Sequence, residues 1–139
     1  MKKPDVVKHI RAAWLYRQTV QCPWLACSPD RKVYDSRSTP KHGLLEIKCP
    51  LKASFNDVAC LNKVDGTIYL KKNHNYYYQI MGQMAITGLE WCDLILLLTT
   101  GECFIERICI DAQFVIGMQE KLDVFFYDSF LNKVTNIMN

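Results

Sequence analysis

The segment Gly43-Leu44-Leu45-Glu46-Ile47-Lys48-Cys49-Pro50 constrains this chain more than any other. Four of its eight residues, Leu44, Leu45, Ile47 and Cys49, are apolar, which reads as a strand, and Pro50 stops it. Side chains alternate across a strand, so Glu46 and Lys48 share a face, and Leu45, Ile47 and Cys49 are expected to point into the core behind them. A carboxylate and an ammonium two residues apart on an apolar strand are costly to bury without a partner or a purpose. If the preceding strand pairs with this one, Asp30 arrives at the same edge.

Two carboxylates and a lysine meeting at one place suit phosphodiester hydrolysis. Mg²⁺ prefers oxygen ligands and keeps several waters, one of which can become the nucleophile. A lysine can orient that water or stabilise charge developing on the phosphate. Taken alone, the three residues read more readily as a surface ion pair, Glu46 with Lys48, and a turn residue, Asp30 after Pro29.

The rest of the chain supplies the frame. Residues 5–16 place Val6, Val7, Ile10, Ala13 and Trp14 at helical spacing. Residues 22–28 read as a short strand, and the polar stretch from Arg31 to Gly43 as a long loop. Residues 51–72 read as irregular and basic. Asn73 or Asn75 can cap a helix running to Thr87, with Gly88 as its stop. Cys92–Thr99 and Cys103–Ile110 read as a hairpin around Thr100-Gly101-Glu102. Asp111 can cap a last helix with Phe114, Met118, Leu122, Phe125 and Phe126 on one side. This order predicts an α/β or α+β fold, with a small sheet at its centre. At 139 residues the chain is the size of a single domain, 1–139.

Charge is unevenly spread behind a net value of +3. Residues 1–72 carry 14 Lys and Arg against 6 Asp and Glu; residues 73–139 carry 3 against 8. A basic first half can face a polyanion such as nucleic acid, or consist of solvated loop lysines. The seven cysteines are odd in number and form no CxxC pair, so a reducing, intracellular compartment is expected over an extracellular one. The longest apolar run, Leu94 to Leu98, is too short to span a membrane. His9, His42 and His74 pair with no serine or cysteine pattern.

Three motifs in order sharpen the reading. Pro23-Trp24-Leu25-Ala26-Cys27-Ser28-Pro29-Asp30, then Gly43 to Pro50, resemble the signature of the YqaJ viral recombinase family. That family is a lambda-exonuclease-like branch of the PD-(D/E)XK nuclease superfamily. Leu70 to Met84 is similar to its glutamine helix, and Trp91-Cys92-Asp93 with Ile105-Glu106-Arg107-Ile108 fits the following hairpin.

The resemblance implies a restriction-endonuclease-like core, with a mixed β-sheet flanked by helices, and Mg²⁺-dependent hydrolysis of DNA (Mn²⁺ able to substitute). The expected mode is exonucleolytic, serving recombination or DNA-end processing. Asp30 and Glu46 would be the metal-binding carboxylates, with the backbone carbonyl of Ile47 as a further ligand. Lys48 would be the catalytic lysine, and Gln79 would support the site from the helix. Gln83, four residues on, shares the helix face of Gln79 but gains no role from the resemblance. Arg31, Lys32, Lys71 and Lys72 are the candidate DNA contacts; Lys71 and Lys72 read equally as solvated charges. Tyr76, Tyr77 and Tyr78 are assigned to packing rather than base stacking.

Two departures from the family pattern stand out. Arg31 follows Asp30 where the family usually has glycine, and the first glutamate of the chain is Glu46, so the upstream carboxylate of relatives has no counterpart. The expectation is a core without the family's N-terminal helical region, with weakened cleavage. The alternative is a DNA-binding or assembly module with a degenerate, inactive site. DNA is the expected partner, a homo-oligomer stays open, and no membrane association is expected.

Overall fold

The computed structural model describes residues 24–138; the expected helix over 5–16 lies outside them. The described chain runs β1 (Arg31–Tyr34), β2 (His42–Lys48), a 3₁₀ turn (Phe55–Asp57), β3 (Leu61–Val64), β4 (Thr67–Leu70) and α1 (Asn75–Thr87). It continues through β5 (Trp91–Leu97), β6 (Cys103–Cys109), α2 (Ala112–Val124), a π-helical segment (Phe125–Leu131) and α3 (Asn132–Met138). Four strands form one sheet in the order β1-β2-β5-β6, and β3 and β4 form a separate hairpin. In the sheet β1 and β2 are antiparallel, β2 and β5 parallel, and β5 and β6 antiparallel. The sheet is therefore mixed, with helices packed on it, as the element order predicts.

A parallel β2–β5 pair needs a long crossover, and residues 49–90 provide it, carrying the β3–β4 hairpin and α1. Helix α1 forms because Tyr77, Ile80, Met81 and Met84 recur at three- and four-residue spacing and bury together. They pack with Leu44, Cys92, Leu94 and Leu96 of the sheet into the main core. Gly88 ends the helix in the left-handed region, at φ 69°. The N-cap is His74, whose Nδ1 accepts the Tyr76 N–H at 3.2 Å, rather than Asn73 or Asn75.

Several local expectations change. The strand expected over 22–28 is absent from its described part, and the strand instead occupies Arg31–Tyr34, inside the expected loop. That strand is polar because it lies at the sheet edge and buries Val33 alone, against Leu45 and Trp91. Residues 61–70 form a hairpin rather than irregular chain, turning at Asp65 and Gly66, both with positive φ. Phe125 is 59% exposed rather than on the packed side of its helix. The wider i→i+5 turns of the π-helical segment take it off the 3.6-residue register on which Phe114 and Met118 pack.

The largest change concerns which face of β2 is inside. Glu46 is 2% exposed and Ile47 is 42% exposed, with Cys49 also exposed. The face of Glu46 is the one covered by α1, and it carries the main core. The opposite face holds a small cluster of Val33, Leu45 and Trp91, beside the exposed Leu97 and Ile105. A helix laid over one face of the sheet reverses what strand alternation alone suggested.

That opposite face is tied together by Arg107. Its guanidinium binds Asp93 through two hydrogen bonds, of 2.7 and 2.8 Å, reaches Asp35 at 3.2 Å and stacks 3.8 Å over the Trp91 ring. Trp91 Nε1 donates to the Pro40 carbonyl at 2.8 Å. The connection between β1 and β2 is thereby fastened to β5 and β6, which holds β1 against β2.

Candidate active site

Asp30 enters the site because of strand register. Arg31 lies opposite Leu45 and Lys32 opposite Leu44, so continuing the pairing brings residue 30 opposite residue 46. The Asp30 carboxylate closes the gap by accepting the Ile47 N–H at Oδ2, 2.8 Å away. The turn holds with Arg31 in place of glycine, and the Arg31 side chain folds back to donate to the Asp30 carbonyl at 2.7 Å.

Glu46 is buried between β2 and α1 and takes hydrogen bonds from three side chains. Lys48 Nζ donates to Oε1 at 2.6 Å and Gln79 Nε2 donates to the same oxygen at 2.7 Å. Gln83 Nε2 donates to Oε2 at 3.1 Å. Gln79 also accepts from Lys48 Nζ at 3.1 Å through its own Oε1, which closes a ring of three side chains. Both ends of the Gln79 amide are thus assigned: its NH₂ must face the carboxylate and its carbonyl the ammonium. The Tyr76 ring lies 5.0 Å from Lys48 Nζ and adds a cation–π contact.

A buried carboxylate needs a positive or hydrogen-bonding environment, and here it receives both. Cys92, on the neighbouring strand, responds oppositely. Burial first, and the Glu46 charge second, push its thiol well above the usual range, so it stays protonated.

Asp30, Glu46, Lys48 and Gln79 therefore meet at one edge of the sheet beneath α1. The basic residues distribute differently. Lys32 lies opposite Leu44, on the face that carries Glu46, whereas Arg31 lies opposite Leu45 on the other face. Lys71 Nζ donates to the Ala59 carbonyl at 2.8 Å. Lys72 pairs with Asp111 at 3.1 Å and sits near the Tyr77 ring, along a cavity of about 740 Å³ that Glu106 and Asp111 also line. None of Asp30, Glu46, Lys48 and Gln79 lines that cavity.

Sequence reasoning left two contributors without a role. Gln83 is 3% exposed and bonds Glu46, which its four-residue offset from Gln79 allowed but did not require. Tyr76 looks like its neighbours in sequence, and its side-chain position over Lys48 separates it from Tyr77 and Tyr78.

The donor set can be tested against a divalent cation. Among the described residues no group of three or more His, Cys, Asp or Glu side chains forms a metal cluster. What the site offers is two carboxylates and the Ile47 backbone, all oxygen, with no imidazole or thiolate in the hydrogen-bonded set. That chemistry fits Mg²⁺ or Mn²⁺, which bind through one or two carboxylates and retain waters.

The YqaJ-like viral recombinase domain matches residues 7–90, which include Asp30, Glu46, Lys48, Gln79 and Gln83. The chain belongs to this family. Beyond the matched residues, β5 and β6 complete the sheet that β1 and β2 begin. The fold of the chain is similar to the crystal structure of an alkaline exonuclease, LHK-Exo, from Laribacter hongkongensis, with a TM-score of 0.66 and 22% identity. A second structure, of LHK-Exo in complex with dAMP, aligns with a TM-score of 0.61 and 21% identity. Both alignments cover 94% of this chain and 64% of the exonuclease, so the chain spans just under two thirds of that protein. No curated protein matches the chain in sequence. No helix among the described residues is long and apolar enough to cross a membrane.

Proposed function

We propose that this YqaJ-like domain is a divalent-metal-dependent deoxyribonuclease acting from DNA ends, in the service of recombination or end processing. The observation that carries the reading is the meeting of Asp30, Glu46 and Lys48 at one sheet edge, with Glu46 buried and held by Lys48, Gln79 and Gln83. The Asp30 carboxylate, fixed on the neighbouring backbone amide, adds oxygen ligands that the Glu46–Lys48 ion pair alone would lack. Membership of the recombinase family and the likeness in fold to an alkaline exonuclease support the same reaction.

Asp30, Glu46 and the Ile47 carbonyl would hold the cation. The chemistry that Mg²⁺ or Mn²⁺ supplies when bound is a water of lowered pKa and neutralisation of phosphate charge. Lys48 presents its ammonium to the developing phosphate charge, or to the attacking water, from a position fixed by Glu46 Oε1 and Gln79 Oε1. Gln79 keeps that ammonium from collapsing onto the carboxylate alone. Lys32, on the Glu46 face of the edge strand, is the cation best situated to meet the DNA backbone; Arg31 lies on the other face, and Lys71 and Lys72 are engaged by the Ala59 carbonyl and Asp111.

A set of two carboxylates among the described residues favours a second reading, a DNA-binding module with little or no cleavage. One assay separates the readings: end-labelled linear duplex and covalently closed circular DNA, each incubated with Mg²⁺. The proposal expects degradation of the linear substrate alone. Cutting of the circle assigns an endonuclease, and binding without cutting of either assigns the inactive module.

A further inference from the structure

We propose that Gln83 is a positioning residue, which fixes the Glu46 carboxylate and leaves one chosen oxygen, Oε2, open to a divalent cation. The inference rests on the reading of this cluster as a cation site, and it adds which atom takes the cation and which residue makes it so.

The argument is a count of lone pairs. A carboxylate offers about four acceptor sites, two on each oxygen. Lys48 Nζ and Gln79 Nε2 take both sites of Oε1, at 2.6 and 2.7 Å. Gln83 Nε2 takes one site of Oε2, at 3.1 Å. One site on Oε2 remains among the described contacts. A cation can thus be received at Oε2 while Lys48 stays bound to Oε1, so that metal and lysine do not compete for the same oxygen.

The other end of Gln83 points to the same use. Its Oε1 is buried and has no hydrogen-bond partner among the described residues. The residue as a whole is 3% exposed. An amide carbonyl buried without a partner costs free energy, and a residue needed only to fill space beside Met84 and Thr87 would do better as an apolar side chain. The amide cannot be turned over to relieve this, because the carboxylate accepts only from its NH₂ end. A hydrated divalent cation brings water molecules that are hydrogen-bond donors, and Mg²⁺ surrenders few of them. The Gln83 carbonyl is an acceptor of that class, held by the same side chain that orients Oε2. Gln79 has no such spare atom, since both ends of its amide are engaged by Glu46 and Lys48.

The test is calorimetric titration of the full chain with Mn²⁺ alone, without DNA, for wild type, Gln83→Met, Gln83→Asn and Glu46→Gln. Met matches the length of Gln without its amide; Asn keeps the amide but is one methylene too short to span to Oε2. A thermal melt of each variant without metal checks that it folds, and Asn serves if Met does not. The expected result is Mn²⁺ binding weakened by about 10- to 100-fold in both Gln83 variants, as for other residues that orient a metal ligand, and abolished in Glu46→Gln. Unchanged affinity in a folded Gln83 variant, with binding lost in Glu46→Gln, overturns the role of Gln83 and leaves the cation site standing. Unchanged affinity in Glu46→Gln overturns the cation site and this inference together.

Discussion

The carboxylate of Asp30 accepts the backbone N–H of Ile47 at 2.8 Å, across 17 residues of chain, and so locks the turn after Pro29 to the strand that carries Glu46 and Lys48. One carboxylate thus serves two ends: an acceptor that completes the β1–β2 pairing, and a charge beside Glu46. The two roles separate by mutation. Asp30→Asn keeps an oxygen for the Ile47 N–H and removes the charge. The expected outcome is a melting temperature within a few degrees of wild type, with cleavage of linear DNA reduced by at least about 100-fold, as for loss of a principal electrostatic group. Asp30→Ala, which loses both, is expected to lower the melting temperature as well.

Lys48 is held from three sides, by Glu46, Gln79 and the face of Tyr76. Lys48→Met preserves the aliphatic stem and removes the ammonium. Steady-state kinetics are expected to show kcat lowered by about 100- to 1,000-fold with KM for DNA changed little, because the charge is used as the phosphate transition state forms. A rise in KM with kcat unchanged would assign Lys48 to DNA binding instead.

How far the site could be read from sequence follows from what strand alternation does and does not specify. Alternation puts Glu46 and Lys48 on one face, and that relation holds. It cannot say whether that face is inside, and the expectation that Ile47 and Cys49 are buried failed because α1 covers the other side. Helix α1 was legible because four apolar residues repeat at helical spacing and Gly88 ends them. The His74 cap was not, since Asn73 and Asn75 are better cap formers on either side of it. The β3–β4 hairpin carries a turn signature, Asp65-Gly66, within a stretch whose polar residues otherwise read as irregular. The edge strand β1 had no signal, having one buried residue in four. Gln83 shows the same limit at the site: its spacing from Gln79 was visible, but its contact with Glu46 depends on how α1 is rolled over β2.

Gly43 tests how tightly the face of the sheet that carries Trp91 is packed. A Cβ added there would lie 2.2 Å from ring atoms of Trp91, which is itself clasped between Arg107 and the Pro40 carbonyl. The indole cannot withdraw without breaking that clasp. Gly43→Ala is expected to destabilise the fold by about 1–3 kcal/mol in urea denaturation, the usual range for overpacking. Combining it with Trp91→Phe should recover part of the loss by giving the new methyl room.

Acid stability is expected to report on the loop between β1 and β2. The Ser38 hydroxyl, then the Arg37 backbone N–H and Arg107, hold the Asp35 carboxyl down to about 2. The unfolded chain titrates near the ordinary value of about 3.9. A group with a depressed folded value contributes stability that is complete above the unfolded pKa and is lost as pH falls through the folded one. Urea midpoints stepped from pH 5 downward should therefore fall more steeply in wild type than in Asp35→Asn across the interval from about pH 4 to about pH 2. Parallel curves would show that the Asp35 cluster adds nothing to the folded state.

The central claim is that Glu46, buried between β2 and α1, makes this domain a metal-dependent nuclease. The measurement that addresses it most directly is the rate of nucleotide release from linear duplex DNA, for wild type and Glu46→Gln, with Mg²⁺ and with excess EDTA. Gln is nearly isosteric with Glu, and circular dichroism establishes that the variant is folded. The account predicts release by wild type with Mg²⁺, none with EDTA, and a rate in Glu46→Gln lower by at least about 100-fold. Release that persists in EDTA, or a folded Glu46→Gln protein as fast as wild type, would contradict it.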